Sequence, residues 1–164
     1  MTAVVIDTPA GGFIVRFSEH GLAQLNFPGS GRSVKVQASK PGPVPSNARW
    51  LELTRKALLA ILSGQRPAEF PPLDVSVGTE FQQRVWSVLR EIHPGETRSY
   101  GEVAVAIRSP RATRAVGTAC GANPIPLLIP CHRVLTSGGR LGGFSGGLEW
   151  KQRLLMIEGV TAQR

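Results

Sequence analysis

The stretch Ser99-Tyr100-Gly101-Glu102-Val103-Ala104-Val105-Ala106-Ile107-Arg108-Ser109-Pro110-Arg111-Ala112-Thr113-Arg114-Ala115-Val116-Gly117-Thr118-Ala119-Cys120-Gly121 sets the architecture of the second half of the chain. Ser99 with Glu102 three residues on is a capping box, so a short helix opens here and runs to about Ile107. Ser109-Pro110 reads as an N-cap followed by proline at the first helical position, opening a second helix that ends at Gly121. Two short helices joined by a turn of three or four residues form a helix-turn-helix pattern. From Ala112 to Ala119 every residue except Arg114 and Val116 is small. Such a face can come close to a sugar-phosphate wall, with amides and hydroxyls reaching phosphates. Gly117 costs roughly 1 kcal/mol against Ala inside a helix. Either close approach of another surface or tight packing on the neighbouring helix would account for it.

Upstream, Thr79 and Gln82 form another capping box, followed at helical spacing by Phe81, Val85, Val88, Leu89 and Ile92. His93-Pro94-Gly95 closes that helix. The first half differs. Phe13, Val15 and Phe17 alternate with Ile14, Arg16 and Ser18, Ser18–Gly21 is a turn, and Leu22–Phe27 returns as the second arm of a hairpin. Val34–Gln37 reads as a short strand. Lys40–Pro45 is a loop, and Ser46 caps a helix with Trp50, Leu51, Thr54, Leu58, Ile61 and Leu62 on one face. Leu73, Val75 and Val77 read as a last strand. The fold class is α/β in the broad sense (α+β). A small N-terminal β-sheet with a helix (1–78) precedes a C-terminal helical domain containing the helix-turn-helix (79–164).

Composition narrows the partners. The chain has 164 residues with 19 basic and 11 acidic side chains, net +8, and 41% hydrophobic residues. That excludes a disordered composition and puts nucleic acid first among partners. No acid occurs between Glu102 and Glu149, a stretch holding five Arg and both cysteines. Two cysteines, Cys120 and Cys131, exclude a disulfide scaffold. No apolar run is long enough for a membrane span, and Met1–Asp7 lacks the basic start of a signal peptide. A reducing cytoplasm with free thiols is expected. No Cys/His cluster has metal-site spacing, so no metal is expected.

The most specific segment is Asn123-Pro124-Ile125-Pro126-Leu127-Leu128-Ile129-Pro130-Cys131-His132-Arg133-Val134. Prolines bracket an apolar run that delivers a cysteine followed by two bases. Nearby cations stabilise a thiolate, the nucleophilic form. His132 can take the thiol proton directly or through a water, and a carboxylate can orient its ring. Only Glu149 and Glu158 lie downstream.

Ile129–Val134 resembles the active-site signature of the O6-alkylguanine-DNA alkyltransferases. The likeness extends over Phe81–Trp86, Gly95–Gly101, Arg114–Gly117, Asn123-Pro124, Ser145–Gly147 and Leu154-Leu155 before Glu158, from about residue 79 to 159. Residues 1–78 resemble the family only in layout. The resemblance implies a DNA repair protein acting on double-stranded DNA through the minor groove. Cys131 would accept the alkyl group from O6 of guanine irreversibly, once per molecule, and no cofactor would be needed, because the lesion brings both the alkyl group and the leaving group. His132 would take the thiol proton through a water, Glu158 would orient His132, and Asn123 would pin the turn before the cysteine. Tyr100 would donate to the leaving base, the Ser145 amide would reach O6, and carbonyls near Cys131 and Val134 would read the exocyclic amine. Arg114 would fill the gap left by the flipped nucleotide. DNA contacts would come from Tyr100, Gly101, Ser109, Arg114 and Ser137. Phe144 stands where relatives often carry Tyr, keeping a stacking wall without the hydroxyl. Cys120 is read as a buried spectator, and no regulatory domain is expected. A monomer is expected, with cooperative assembly on DNA and action on O4-methylthymine left open. Two other readings are a lesion-binding protein without transfer, which the presence of Cys131 opposes, and a cysteine hydrolase, which would turn over.

Overall fold

The computed structural model describes residues 3–29 and 48–164. The expected strand at Val34–Gln37, the loop at Lys40–Pro45 and the cap at Ser46 lie outside them. Three antiparallel strands open the chain, in the order β1 (Ala3–Thr8), β2 (Gly11–Phe17) and β3 (Leu22–Asn26). The alternation in β2 buries Phe13, Val15 and Phe17 on one face, as the period of two requires. The hairpin from β2 to β3 has the expected turn, with the Ser18 amide donating to the Gly21 carbonyl at 2.9 Å. β1 is an addition to the sequence reading: Val4 pairs with Val15 and Ile6 with Phe13.

Helix α1 (Ala48–Leu62) buries Thr54, Ala57, Leu58 and Ile61. The segment that follows departs from expectation. Leu73, Val75 and Val77 form no strand. Leu73 makes a single bridge to Leu22, and Val77 is exposed. Two hydrogen bonds pin this segment to the sheet, Leu22 amide to Pro72 carbonyl and Asp74 amide to Leu22 carbonyl, both 2.8 Å. Gly21, at φ +148, permits the approach, because a Cβ there would lie 2.3 Å from the Pro72 carbonyl oxygen.

Helix α2 (Glu80–Leu89) and helix α3 (Tyr100–Ala106) both start at the capping boxes read from sequence, Thr79/Gln82 and Ser99/Glu102. Helix α4 (Thr113–Gly121) starts later than expected and has no side-chain cap. Ser109-Pro110 opens a tight turn, the Ala112 amide donating to the Ser109 carbonyl at 2.9 Å. Proline at the second position of a turn is as well matched to its fixed φ as proline at a helix start. The connection between α3 and α4 therefore spans residues 107–112, longer than a three- or four-residue turn. Arg108 ends α3 in the left-handed region at φ 59.

After α4 the chain crosses the core as the Pro-bracketed segment and makes one 3-10 turn at Cys131–Arg133. It then enters β5 (Val134–Leu135), parallel to β4 (Arg98–Ser99), and ends in α5 (Leu148–Ile157). Sheet and helices share one core, in which Phe13, Leu22, Leu58, Trp86, Leu89, Ile125 and Ile129 are all buried. The Trp86 indole N–H donates to the Ala119 carbonyl at 2.8 Å, tying α2 to α4. Among the described residues no helix is long and apolar enough to cross a membrane.

Candidate active site

A single open cavity of about 980 Å³ brings together residues from five separate parts of the chain. Its walls are Tyr100 and Gly101 at the start of α3, Thr113, Arg114, Gly117 and Cys120 on α4, Ser137 after β5, and Phe144 and Ser145 before α5. Cys131 lies in its lining and is 3% exposed. Seven residues expected at the site therefore share one cavity: Tyr100, Gly101, Arg114, Cys131, Ser137, Phe144 and Ser145. Asn123, His132 and Glu158 stand behind the cysteine instead. Val134 is buried next to them, and Ser109 lies apart, in the turn before α4.

Two supports hold the thiol. The Asn123 side-chain amide donates to the Ile129 carbonyl at 2.8 Å and to Cys131 Sγ at 3.2 Å, while its oxygen accepts from the Ile125 amide at 3.0 Å. One side chain thus fixes both the fold-back of the proline segment and the sulfur at its end. Burial pushes the Cys131 thiol up to about 11, although the Asn123 hydrogen bond and the Lys151 charge pull the other way. The expected stabilisation of a resting thiolate by flanking cations does not arise. The Arg133 guanidinium points away, to the Ile92 carbonyl at 2.5 Å and to Glu158.

Behind the cysteine, His132 Nε2 lies 3.0 Å from Glu158 Oε1, and neither side chain is more than 1% exposed. Burial lowers the His132 pKa, against the opposing pull of the Glu158 hydrogen bond and charge, so the ring is neutral and able to take a proton. Its other nitrogen, Nδ1, is buried without a protein partner. Burial alone would raise the Glu158 carboxyl, but hydrogen bonds from His132 and Arg133 outweigh it and hold the group at about 2. Arg133 Nη2 reaches Glu158 Oε1 at 2.7 Å, and its Nε donates to both carboxylate oxygens. The arginine following the Cys-His pair therefore holds the acid and leaves the thiol alone.

Tyr100 and Lys151 close the floor. Lys151 is fully buried, and its Nζ donates to the Val134 carbonyl at 2.7 Å, the Gly143 carbonyl at 3.2 Å and the Tyr100 hydroxyl at 3.5 Å. It spans the two ends of the loop between β5 and Phe144. Burial pushes Lys151 down to about 8 and Tyr100 up to about 12, so the phenol keeps its proton. The sequence alone does not single out Lys151, because a lone lysine in a helix normally marks a solvated face. The usable signal was its place one turn from the buried Leu154-Leu155 pair, on the inward face of α5. A Cβ at Gly117 would lie 3.9 Å from the Tyr100 ring, an ordinary contact, so packing on α3 does not demand glycine there. The small face of α4, with Thr113, Arg114, Ala115 and Thr118 exposed, stands open beside the cavity.

Residues 80–160 match the family model described as 6-O-methylguanine DNA methyltransferase, DNA binding domain. A methylated-DNA–protein-cysteine methyltransferase of Methanosarcina acetivorans is 38% identical over 162 residues, covering 97% of this chain and 99% of that one. One from Mycobacterium leprae is 40% identical over 153 residues, covering 93% and 89%. Among solved structures, Mycobacterium tuberculosis OGT in complex with DNA aligns with a TM-score of 0.74 at 36% identity, covering 94% of this chain and 90% of that one. With a likeness that runs through both the strand region and the helices, the chain belongs to the methylated-DNA–protein-cysteine methyltransferase family.

Proposed function

We propose that this protein repairs DNA by transferring the alkyl group of O6-alkylguanine to Cys131, once per molecule. The observation that carries the reading is a buried thiol in the lining of an open cavity, backed by a neutral histidine and a carboxylate. In the transfer, Sγ attacks the alkyl carbon from the side opposite O6, a carbon–sulfur bond forms and the carbon–oxygen bond breaks. The thiol proton passes to His132 through a water seated at Nδ1, and Glu158 balances the resulting imidazolium. The guanine leaves carrying the bond electrons, the Tyr100 hydroxyl donating a hydrogen bond to the base and the Ser145 amide stabilising charge at O6, and the proton taken up by His132 returns through water to the released base. Carbonyls of Cys131 and Val134 read the exocyclic amine, and the Val134 oxygen keeps a lone pair beyond the one Lys151 uses.

The target carbon is inside the duplex, so the nucleotide must leave the stack, at a cost of roughly a few kcal/mol that is smaller for a lesion. α4 with its small face fits the minor groove, and Arg114 at the cavity rim occupies the vacated space. Gly101, Ser109 and Ser137 contact the backbone, and Phe144 stacks on the base. The division at residue 78 into a sheet-and-helix unit and a DNA-binding unit belongs to the same reading, supported by a family match that begins at residue 80. A reducing cytoplasm suits the two free cysteines.

The test is a mass spectrum after incubation with excess duplex carrying O6-methylguanine. One methyl on Cys131 at one equivalent is expected, and Cys131→Ser should bind and transfer nothing. Product release beyond one equivalent, or binding without an adduct, overturns the proposal. Arg114→Ala should slow repair of duplex more than of the free base. Equal losses would remove it from the flipping step.

A further inference from the structure

The acceptor cavity has one wall whose backing comes from the far end of the chain. Phe144 lines the cavity, and its ring meets the Phe27 ring edge-on, centroids 5.5 Å apart at 71°. Phe27 immediately follows β3 and is 4% exposed. Its ring also packs against Phe13 at 5.7 Å and Trp150 of α5 at 5.1 Å. Phe13 and Trp150 also meet each other, at 5.7 Å. The contact extends past Phe144. A Cβ at Gly146 would lie 2.6 Å from the Phe27 ring and 2.9 Å from Phe144. The loop thus passes close to the Phe27 ring at Gly146, leaving no room for a side chain there. The same strand touches the thiol's support: the Leu25 amide donates to the Pro124 carbonyl at 2.9 Å, one residue from Asn123.

We propose that Phe27 is a specificity-determining positioning residue, bracing Phe144 so that the cavity discriminates between alkyl groups by size. The inference rests on the alkyl-transfer reading of the site. An alkyl group larger than methyl needs more room between Sγ and the cavity walls, and Phe144 is a wall that can give room by moving outward with its loop. Outward motion runs into the Phe27 ring, which is itself packed against Phe13 and Trp150. Interiors are close-packed, so such a displacement carries a cost that grows with the size of the group. Trimming Phe27 removes the brace without touching substrate, thiol or DNA.

The experiment measures second-order transfer rates from duplexes carrying O6-methylguanine and O6-benzylguanine, for wild type, Phe27→Leu, Phe27→Ala and Phe13→Leu. Duplex affinity and thermal midpoint are recorded alongside. For Phe27→Leu the benzyl-to-methyl rate ratio should rise about fivefold or more, with unchanged duplex affinity, and Phe27→Ala should exceed it. Phe13→Leu loosens the cluster one ring removed from Phe144, and should lower the midpoint while raising the ratio by less than Phe27→Leu does. A ratio unchanged in Phe27→Leu overturns the proposal, as does an equal rise in Phe13→Leu, which would mean general loosening. Should Phe27→Ala not fold, Phe27→Leu decides alone. Failure of wild type to methylate Cys131 would sink the transfer reading itself, a result separate from an unchanged ratio.

Discussion

Replacing Glu158 by glutamine separates the two tasks of that carboxylate. It pairs with the buried Arg133 and, in the proposed transfer, orients His132, with its side chain only 1% exposed. Its pKa is held at about 2 against an ordinary 4.5. A folded-state pKa below the unfolded value gives stability that is present above about pH 4.5 and lost as pH falls toward 2. The shift corresponds to about 3 kcal/mol at neutral pH, within the range expected when one partner of a buried pair is removed. Urea unfolding at pH 7 should therefore show Glu158→Gln less stable than wild type by about 3 kcal/mol, and the gap should fall to about half by pH 3. Methyl transfer should slow by about a hundredfold, because the imidazolium formed on proton transfer loses its counter-charge. Adding Arg133→Met to Glu158→Gln removes the orphaned cation, so stability should recover while transfer stays slow. A stability gap independent of pH would refute the ion-pair account. Recovery of transfer along with stability would refute the role of Glu158 in orienting His132.

Asn123→Ala removes three hydrogen bonds, one of them to Sγ. It should cost about 2–3 kcal/mol in urea unfolding and slow both methyl transfer and iodoacetamide labelling of Cys131. Lys151→Met tests the buried ammonium. Wild-type Lys151 is pushed down to about 8 from 10.5, so the folded state sheds its proton first and gains stability as pH rises through 8. Between pH 8 and 9 the stability difference should move in favour of wild type by about 1 kcal/mol, read from paired urea titrations. Gly78→Ala would set a Cβ 2.3 Å from the Trp86 ring. Overpacking there should cost about 1–3 kcal/mol, seen as a lower thermal midpoint with a changed near-ultraviolet signal from Trp86.

Local chemistry made α2 and α3 legible, because a capping box is a contact between residues three apart and needs no tertiary context. Ser109-Pro110 failed for the same locality: the dipeptide suits a turn and a helix start equally, and packing of α4 on α2 and α3 decides between them. The Leu73–Val77 alternation looked like a strand, but the chain there meets the sheet only around Leu22. Around the cysteine, the expected residues converge except Ser109, since the order of the motifs carries the family's geometry. Arg133 and Lys151 were out of reach because a cation's partner is a tertiary fact. Nothing in Cys-His-Arg says whether the guanidinium turns toward the sulfur or toward an acid 25 residues on.

That choice bears on how the site works. A thiol held near 11 is almost wholly protonated at neutral pH, so it resists stray electrophiles and oxidants that attack thiolates. In the proposed transfer, reactivity is created when substrate is present, as the proton is drawn toward a histidine that burial keeps neutral. An acceptor that can be used once has more to lose from premature reaction than a catalyst that recovers. Arg133 serves this arrangement by spending its charge on Glu158: directed at Sγ instead, the same guanidinium would favour the thiolate at rest. The net charge of +8 therefore divides by location. Arg114 at the exposed rim can meet phosphates, while the buried cations Arg133 and Lys151 are committed to a carboxylate and to backbone carbonyls.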